Sequence, residues 1–184
     1  MKKIFLVIFL LFVLPNLSLA DDWEPILKIG PILDKDLDLL FKRACELDSQ
    51  MEINLAKLDE ILKLSKPPIS NLEWEKLNFE WGKLSIEWER LELENDILTR
   101  LYDLLNIARE DVFIIETLLF YNKNLKGSKI IKDRIKFIIK KGLEASTKTS
   151  QKLESRERLG FSYETIEVLN NVKSDLEKIL EILQ

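Results

Sequence analysis

Cut into sevens, residues 73–107 read EWEKLNF, EWGKLSI, EWERLEL, ENDILTR, LYDLLNI. Trp74, Trp81, Trp88, Asn95 and Tyr102 share one heptad position, and Leu77, Leu84, Leu91, Leu98 and Leu105 share another. Residues alternating three and four apart form a single stripe on a helix, and such a stripe needs a facing helix to cover it. LNFEW and LSIEW also alternate as a strand would, but the seven-residue repeat and the Glu, Lys and Leu content favour helix. The expected fold is all-α: an elongated antiparallel helical bundle of coiled-coil-like hairpins, about four helices with one unusually long.

The segment before this repeat supplies the facing helix. Leu37, Leu40, Ala44, Leu47, Met51, Leu58 and Ile61 keep heptad spacing, interrupted by Asn54. A first helix is expected from Asp34, as N-cap, to about Ser65. Lys66, Pro67 and Pro68 stop it, because proline lacks the backbone donor and pushes its predecessor out of helical geometry. Residues 21–33, with Pro25, Gly30 and Pro31, read as a lead-in arm docking through Trp23, Ile26 and Ile29. Ser70 and Glu73 form a capping box for the second helix, with Ile69 and Trp74 placed as a hydrophobic staple.

A mirror about the two prolines pairs Leu37 with Leu98, Ala44 with Leu91, Met51 with Leu84, Leu58 with Leu77, Leu47 with Trp88 and Ile61 with Trp74. It sets Asn54 opposite Trp81, whose indole N–H would donate to the amide oxygen. No breaker interrupts residues 71–121, so the second helix reaches about 75 Å; a break near residues 106–111 is the alternative. Its seam moves on to Leu101, Leu105, Ala108, Val112, Ile115 and Leu119.

Residues 122–128 form a polar turn, and reflection about Leu125 pairs Ile115 with Ile135, Ala108 with Gly142 and Leu105 with Ala145. Gly160 ends a third helix as a C′ glycine. A fourth starts at Ser162, with Phe161 and Ile166 as a staple, and carries Leu169, Val172, Leu176, Ile179 and Leu183. The first helix is expected on the first half of the second, and the last two on its second half.

Residues 1–20, MKKIFLVIFLLFVLPNLSLA, combine two lysines, a short apolar run and a small-residue end. That pattern predicts a secretory signal cut after Ala20, giving a periplasmic or secreted protein whose bundle domain is residues 34–184. Residue 21 is Asp rather than Cys, so no lipid anchor is expected. Absence of histidine excludes Ser/His/Asp and Cys/His catalysis and His-ligated metals, and Cys45, the single cysteine, excludes an internal disulfide. Cys45 is expected as a small apolar residue beside the seam. No enzymatic role, cofactor or metal is expected.

Two surfaces are candidates for interaction. Phe79, Ile86 and Leu93 form a second apolar stripe on the second helix, far around it from the Leu seam and without a partner in one chain if that helix is unbroken. Self-association follows, with a homo-oligomer or another protein as partner. Lys129, Lys132, Lys136 and Lys140 share one helical face, in a stretch, residues 122–160, with 12 Lys and Arg against 4 Asp and Glu.

That face is expected to complement acidic helices inside the bundle or between subunits. Contact with an anionic polymer or a membrane surface, without anchoring, is the other reading, and nucleic acid is not expected. The tryptophans and leucines of the seam, Trp74, Trp81, Trp88, Leu77, Leu84 and Leu91, are expected as core. Glu73, Glu80, Glu87 and Glu94 are expected as a solvated edge. The alternative function is a bundle holding an apolar ligand or unfolded client in a cavity beside Ala108, Gly142 and Ala145.

Overall fold

The structure, a computed structural model, describes residues 23–66, 69–121, 129–155 and 162–184. The described elements are four helices: α1 (Glu24–Leu64), α2 (Asn71–Tyr121), α3 (Lys129–Ser155) and α4 (Tyr163–Ile182). α2 is unbroken over 51 residues, so the alternative break near residues 106–111 is not formed. The double proline, the turn at 122–128, Gly160 and Phe161 lie outside the described residues.

α1 starts ten residues before the expected N-cap, and the lead-in arm is its first three turns. Pro25 sits in the first turn, where a missing N–H costs nothing, but Pro31 is inside the helix. An interior proline costs about 3 kcal/mol. Ile26, Ile29 and Leu33 are almost wholly buried, and each burial returns about 2 kcal/mol, so packing carries the helix through the proline. Asp34, placed mid-helix, pairs with Arg109 of α2 at 2.6 Å instead of capping. The other two starts agree with expectation. The Ser70 N–H donates to Glu73 Oε2 at 2.9 Å while Glu73 N–H donates to Ser70 Oγ at 3.3 Å. Ser162 Oγ accepts from the N–H of Thr165.

The packing closes into a ring: α1 against α2 and α4, and α3 against α2 and α4. One core runs through it, from Ile26 and Leu40 of α1 through Leu98, Leu105 and Ile115 of α2 to Ile135 and Ile139 of α3 and Leu169 and Leu176 of α4. The last two helices therefore do not occupy the second half of α2 alone; α4 also lies on α1, because the early turns of α1 bring their apolar residues beside it.

The α1–α2 register differs from the mirror. Asp34 meets Arg109, Phe41 meets Tyr102 and Asp48 meets Asn95, a ladder with heptad steps on both helices. Continued to the same positions, the mirror would have set Asp34 against Leu101, Phe41 against Glu94 and Asp48 against Glu87. The shift is about two helical turns along α2. Asn54 is buried with its Nδ2 unpartnered, and no hydrogen bond joins it to Trp81.

The α2–α3 register also moves, by about one turn. Arg134 meets Asp111 at 3.0 Å, and a Cβ at Gly142 would lie 3.2 Å from Leu105 and 3.3 Å from Leu176. Ala145, expected opposite Leu105, is exposed. Gly142 thus marks a close three-helix approach and opens no cavity. Gly142→Val is expected to destabilise the fold by about 1–3 kcal/mol, read from urea unfolding, since the added methyls meet two leucines without free space.

α4 begins level with Glu94, to which Ser162 hydrogen-bonds, and counting along α3 from Gly142 brings Ser155 level with about residue 90. Beyond that level the described residues are α1 and α2 alone, a two-helix hairpin with arms of about 44–64 and 71–93. Past Leu47 and Leu91, only Asn54 and Ile61 in these arms are buried.

Candidate interaction site

The outer stripe of α2 sits on this projecting hairpin. Phe79 is 64 % exposed and Ile86 55 %, while Leu93, nearer the body, is half-buried. Each lies seven residues from the next, on the side of α2 away from the Leu seam. Lys83 stands 4.4 Å over the Phe79 ring and leaves its other side open.

The seam is dry only toward the body. Leu91 is fully buried, Leu77, Leu84, Trp81 and Trp88 are half-buried, and Trp74 is 52 % exposed. Trp74 is not buried as expected, because beside the last turn of α1 it meets Ile61, Leu62 and Ser65 across an open groove. A groove of about 210 Å³ follows, lined by Trp74, Leu77 and Trp81 from α2 and Ile61 and Leu62 from α1. A second groove, of about 440 Å³, is lined by Leu64, Lys57, Lys83, Leu84 and Glu87.

Lys129 and Lys140 are exposed, and Lys132 and Lys136 are half-buried. None of the four makes an ion pair within the described residues. Beside them Ile130 is 66 % and Phe137 60 % exposed, again seven residues apart and turned outward. The elements that α3 packs on, α2 and α4, cover its opposite side.

Sequence reasoning missed two buried polar clusters. In the first, Glu94, expected on a solvated edge, is fully buried. Its carboxylate accepts from the Ser162 N–H at 2.9 Å, from Ser162 Oγ at 2.6 Å and from Thr165 Oγ1. The Arg43 guanidinium donates to Thr165 Oγ1 at 3.0 Å and to Ser162 Oγ at 2.6 Å. Each hydroxyl receives from the cation and gives to the anion, so Arg43 and Glu94, 3.7 Å apart, are joined through two hydroxyls. The carboxylate also sits at the positive N-terminus of α4. The cluster ties α1, α2 and α4 at the level where the hairpin leaves the body.

In the second cluster, Asp36 of α1 is fully buried against Asp175 of α4. Burial, followed by the Asp175 charge, pushes the Asp36 carboxyl up to about 7. Burial also raises Asp175, but hydrogen bonds from Lys178 at 2.6 Å and Lys35 at 2.5 Å outweigh it and hold that carboxyl below the usual range. Neither Asp36 oxygen finds a hydrogen-bond partner among the described residues, and a proton removes the charge that burial and Asp175 disfavour. The sequence signal for both clusters was modest: Asp36 and Arg43 are seven apart, immediately before seam positions, on the flank that a third helix covers. Asp36, Arg43, Glu94 and Asp175 are buried, while Lys35 and Lys178 reach Asp175 from the surface, and the bonds of both clusters tie one helix to another.

Cys45, expected beside the seam, is exposed as a free thiol. No group of three or more His, Cys, Asp or Glu among the described residues is arranged to hold a metal ion. The class these features define is an all-α bundle with a protruding hairpin. No family model, no curated protein and no solved structure matches the chain.

Proposed function

We propose that this is an exported structural or interaction protein that works by docking helices, and that its main partner is a second copy of itself. The observation carrying the reading is the projecting hairpin, whose unbroken α2 presents Phe79 and Ile86 to solvent at heptad spacing. Two large apolar side chains aligned on one face, on a hairpin with little core of its own, favour burial against another helix. Export rests on the signal-like residues 1–20. No described helix is long and apolar enough to cross a membrane, and the reading assigns the protein no catalysis or cofactor.

Light scattering after size exclusion tests it. A mass above one chain at micromolar concentration is expected, and Phe79→Ser with Ile86→Ser is expected to give a monomer with unchanged helix content, since neither side chain supports the core. A strict monomer in the unaltered protein overturns the reading. A second reading, binding of an apolar ligand or unfolded client, draws on the Trp74 and Trp81 groove rather than on the surroundings of Gly142. It predicts that a hydrophobic probe raises the melting temperature and quenches tryptophan fluorescence.

A further inference from the structure

The apolar stripe of the hairpin and the lysine-flanked apolar pair of α3 have the same spacing and opposite charge. Residues 44–93 carry eleven Asp and Glu against six Lys and Arg, a net charge of −5. Around Phe79 and Ile86, Glu73, Glu75, Glu80, Glu87 and Glu89 are exposed against the exposed Lys76 and Lys83, so the face keeps an acidic excess. The outward face of α3 is the reverse: Ile130 and Phe137 are flanked by Lys129, Lys136 and Lys140 on one side and by Arg134 and Lys141, paired with Asp111 and Glu144, on the other, and Asp133 is the one acid in residues 129–141. Both apolar pairs are seven residues apart on straight helices, so both span about 10 Å and engage together.

We infer that the hairpin face around Phe79 and Ile86 docks on the outward face of α3 in a second copy of this chain, glutamates against lysines. The inference rests on the self-association reading and specifies its surface. Charge segregation argues for this pairing over the two alternatives between copies: hairpin on hairpin sets acid against acid, and α3 on α3 sets base against base. Two copies lying antiparallel make the contact twice, each hairpin covering the other's α3, which closes the assembly as a dimer.

Three variants and a salt series test this, with molecular mass read by light scattering. The first reverses α3, Lys129→Glu, Lys136→Glu and Lys140→Glu. The second reverses the hairpin, Glu75→Lys, Glu80→Lys and Glu89→Lys. The third neutralises the same three lysines to glutamine, and circular dichroism checks that all three remain helical.

The unaltered protein is expected to form a dimer that weakens at least about tenfold between low and high salt. Each reversed variant alone is expected to be monomeric, and the glutamine variant weakened. A mixture of the two reversed variants is expected to recover the dimer, which a merely unfolded variant would not do. If the α3-reversed variant dimerises undiminished while Phe79→Ser with Ile86→Ser does not, self-association stands and this pairing is overturned. If the unaltered protein stays monomeric, both fall. Monomeric protein retained on heparin through these lysines would assign the face to an anionic polymer and likewise overturn the proposal.

Discussion

Asp36→Asn is expected to raise the melting temperature by roughly 10 °C at pH 8 and to leave it nearly unchanged at pH 4. The folded carboxyl titrates at about 7 against 3.8 as the ordinary value, so the folded protein binds the extra proton between those two values. Stability at this site is therefore full below the unfolded value, falls as pH rises, and reaches its minimum above the folded value. The difference of about three pH units corresponds to a loss on the order of 4 kcal/mol. Asparagine is neutral at every pH, as the protonated side chain is, and removes that loss. Asp175 contributes in the opposite sense: its depressed carboxyl stabilises above the ordinary value and ceases to do so as pH falls below it. Thermal unfolding of both proteins at pH 4, 6 and 8 is the measurement, and a Tm difference independent of pH would refute the assignment.

Glu94→Ala is expected to cost about 3–5 kcal/mol, the usual consequence of removing one partner from a buried ion pair. The loss has two parts: Arg43, itself buried, keeps the half-exposed Glu46 at 3.0 Å but loses its one buried anion, and the first turn of α4 loses a carboxylate that accepts from the backbone of Ser162. Glu94→Gln keeps one acceptor and is expected to cost less. Urea unfolding measures the magnitude, and amide exchange in residues 163–182 locates it, because α4 should open first. A cost below about 1 kcal/mol would show that the hydroxyls and water satisfy Arg43 unaided.

Helix type was legible in the chain because period and capping agreed: the EWxxLxx repeat, the Ser70–Glu73 box and Ser162 all act where they stand. Register was not, because heptads repeat. A helix slid along its partner still sets leucine near leucine, and only the non-repeating pairs, Asp34 with Arg109 and Asp48 with Asn95, distinguish one slide from the next. The start of α1 was missed because local propensity at Pro31 opposes the helix while tertiary burial of Ile29 and Leu33 enforces it.

The outward placement of Phe79 and Ile86 was readable, since an apolar residue off the seam has no local explanation. Glu94 was unreadable as a buried residue: it continues the series Glu73, Glu80, Glu87 without a break, and only the arrival of Ser162 from the other end of the chain distinguishes it.

Because the ladder between α1 and α2 advances in steps of seven on both helices, the hairpin behaves as a spacer of adjustable length. Adding one repeat to each arm would carry its tip about 10 Å farther from the body without rotating the aromatic stripe or disturbing the tie at Glu94. Adding a number far from a whole count of turns would turn the stripe to a new bearing. Reach and orientation are thus set by different arithmetic in one element, so an insertion can change the span while keeping the bearing of Phe79 and Ile86.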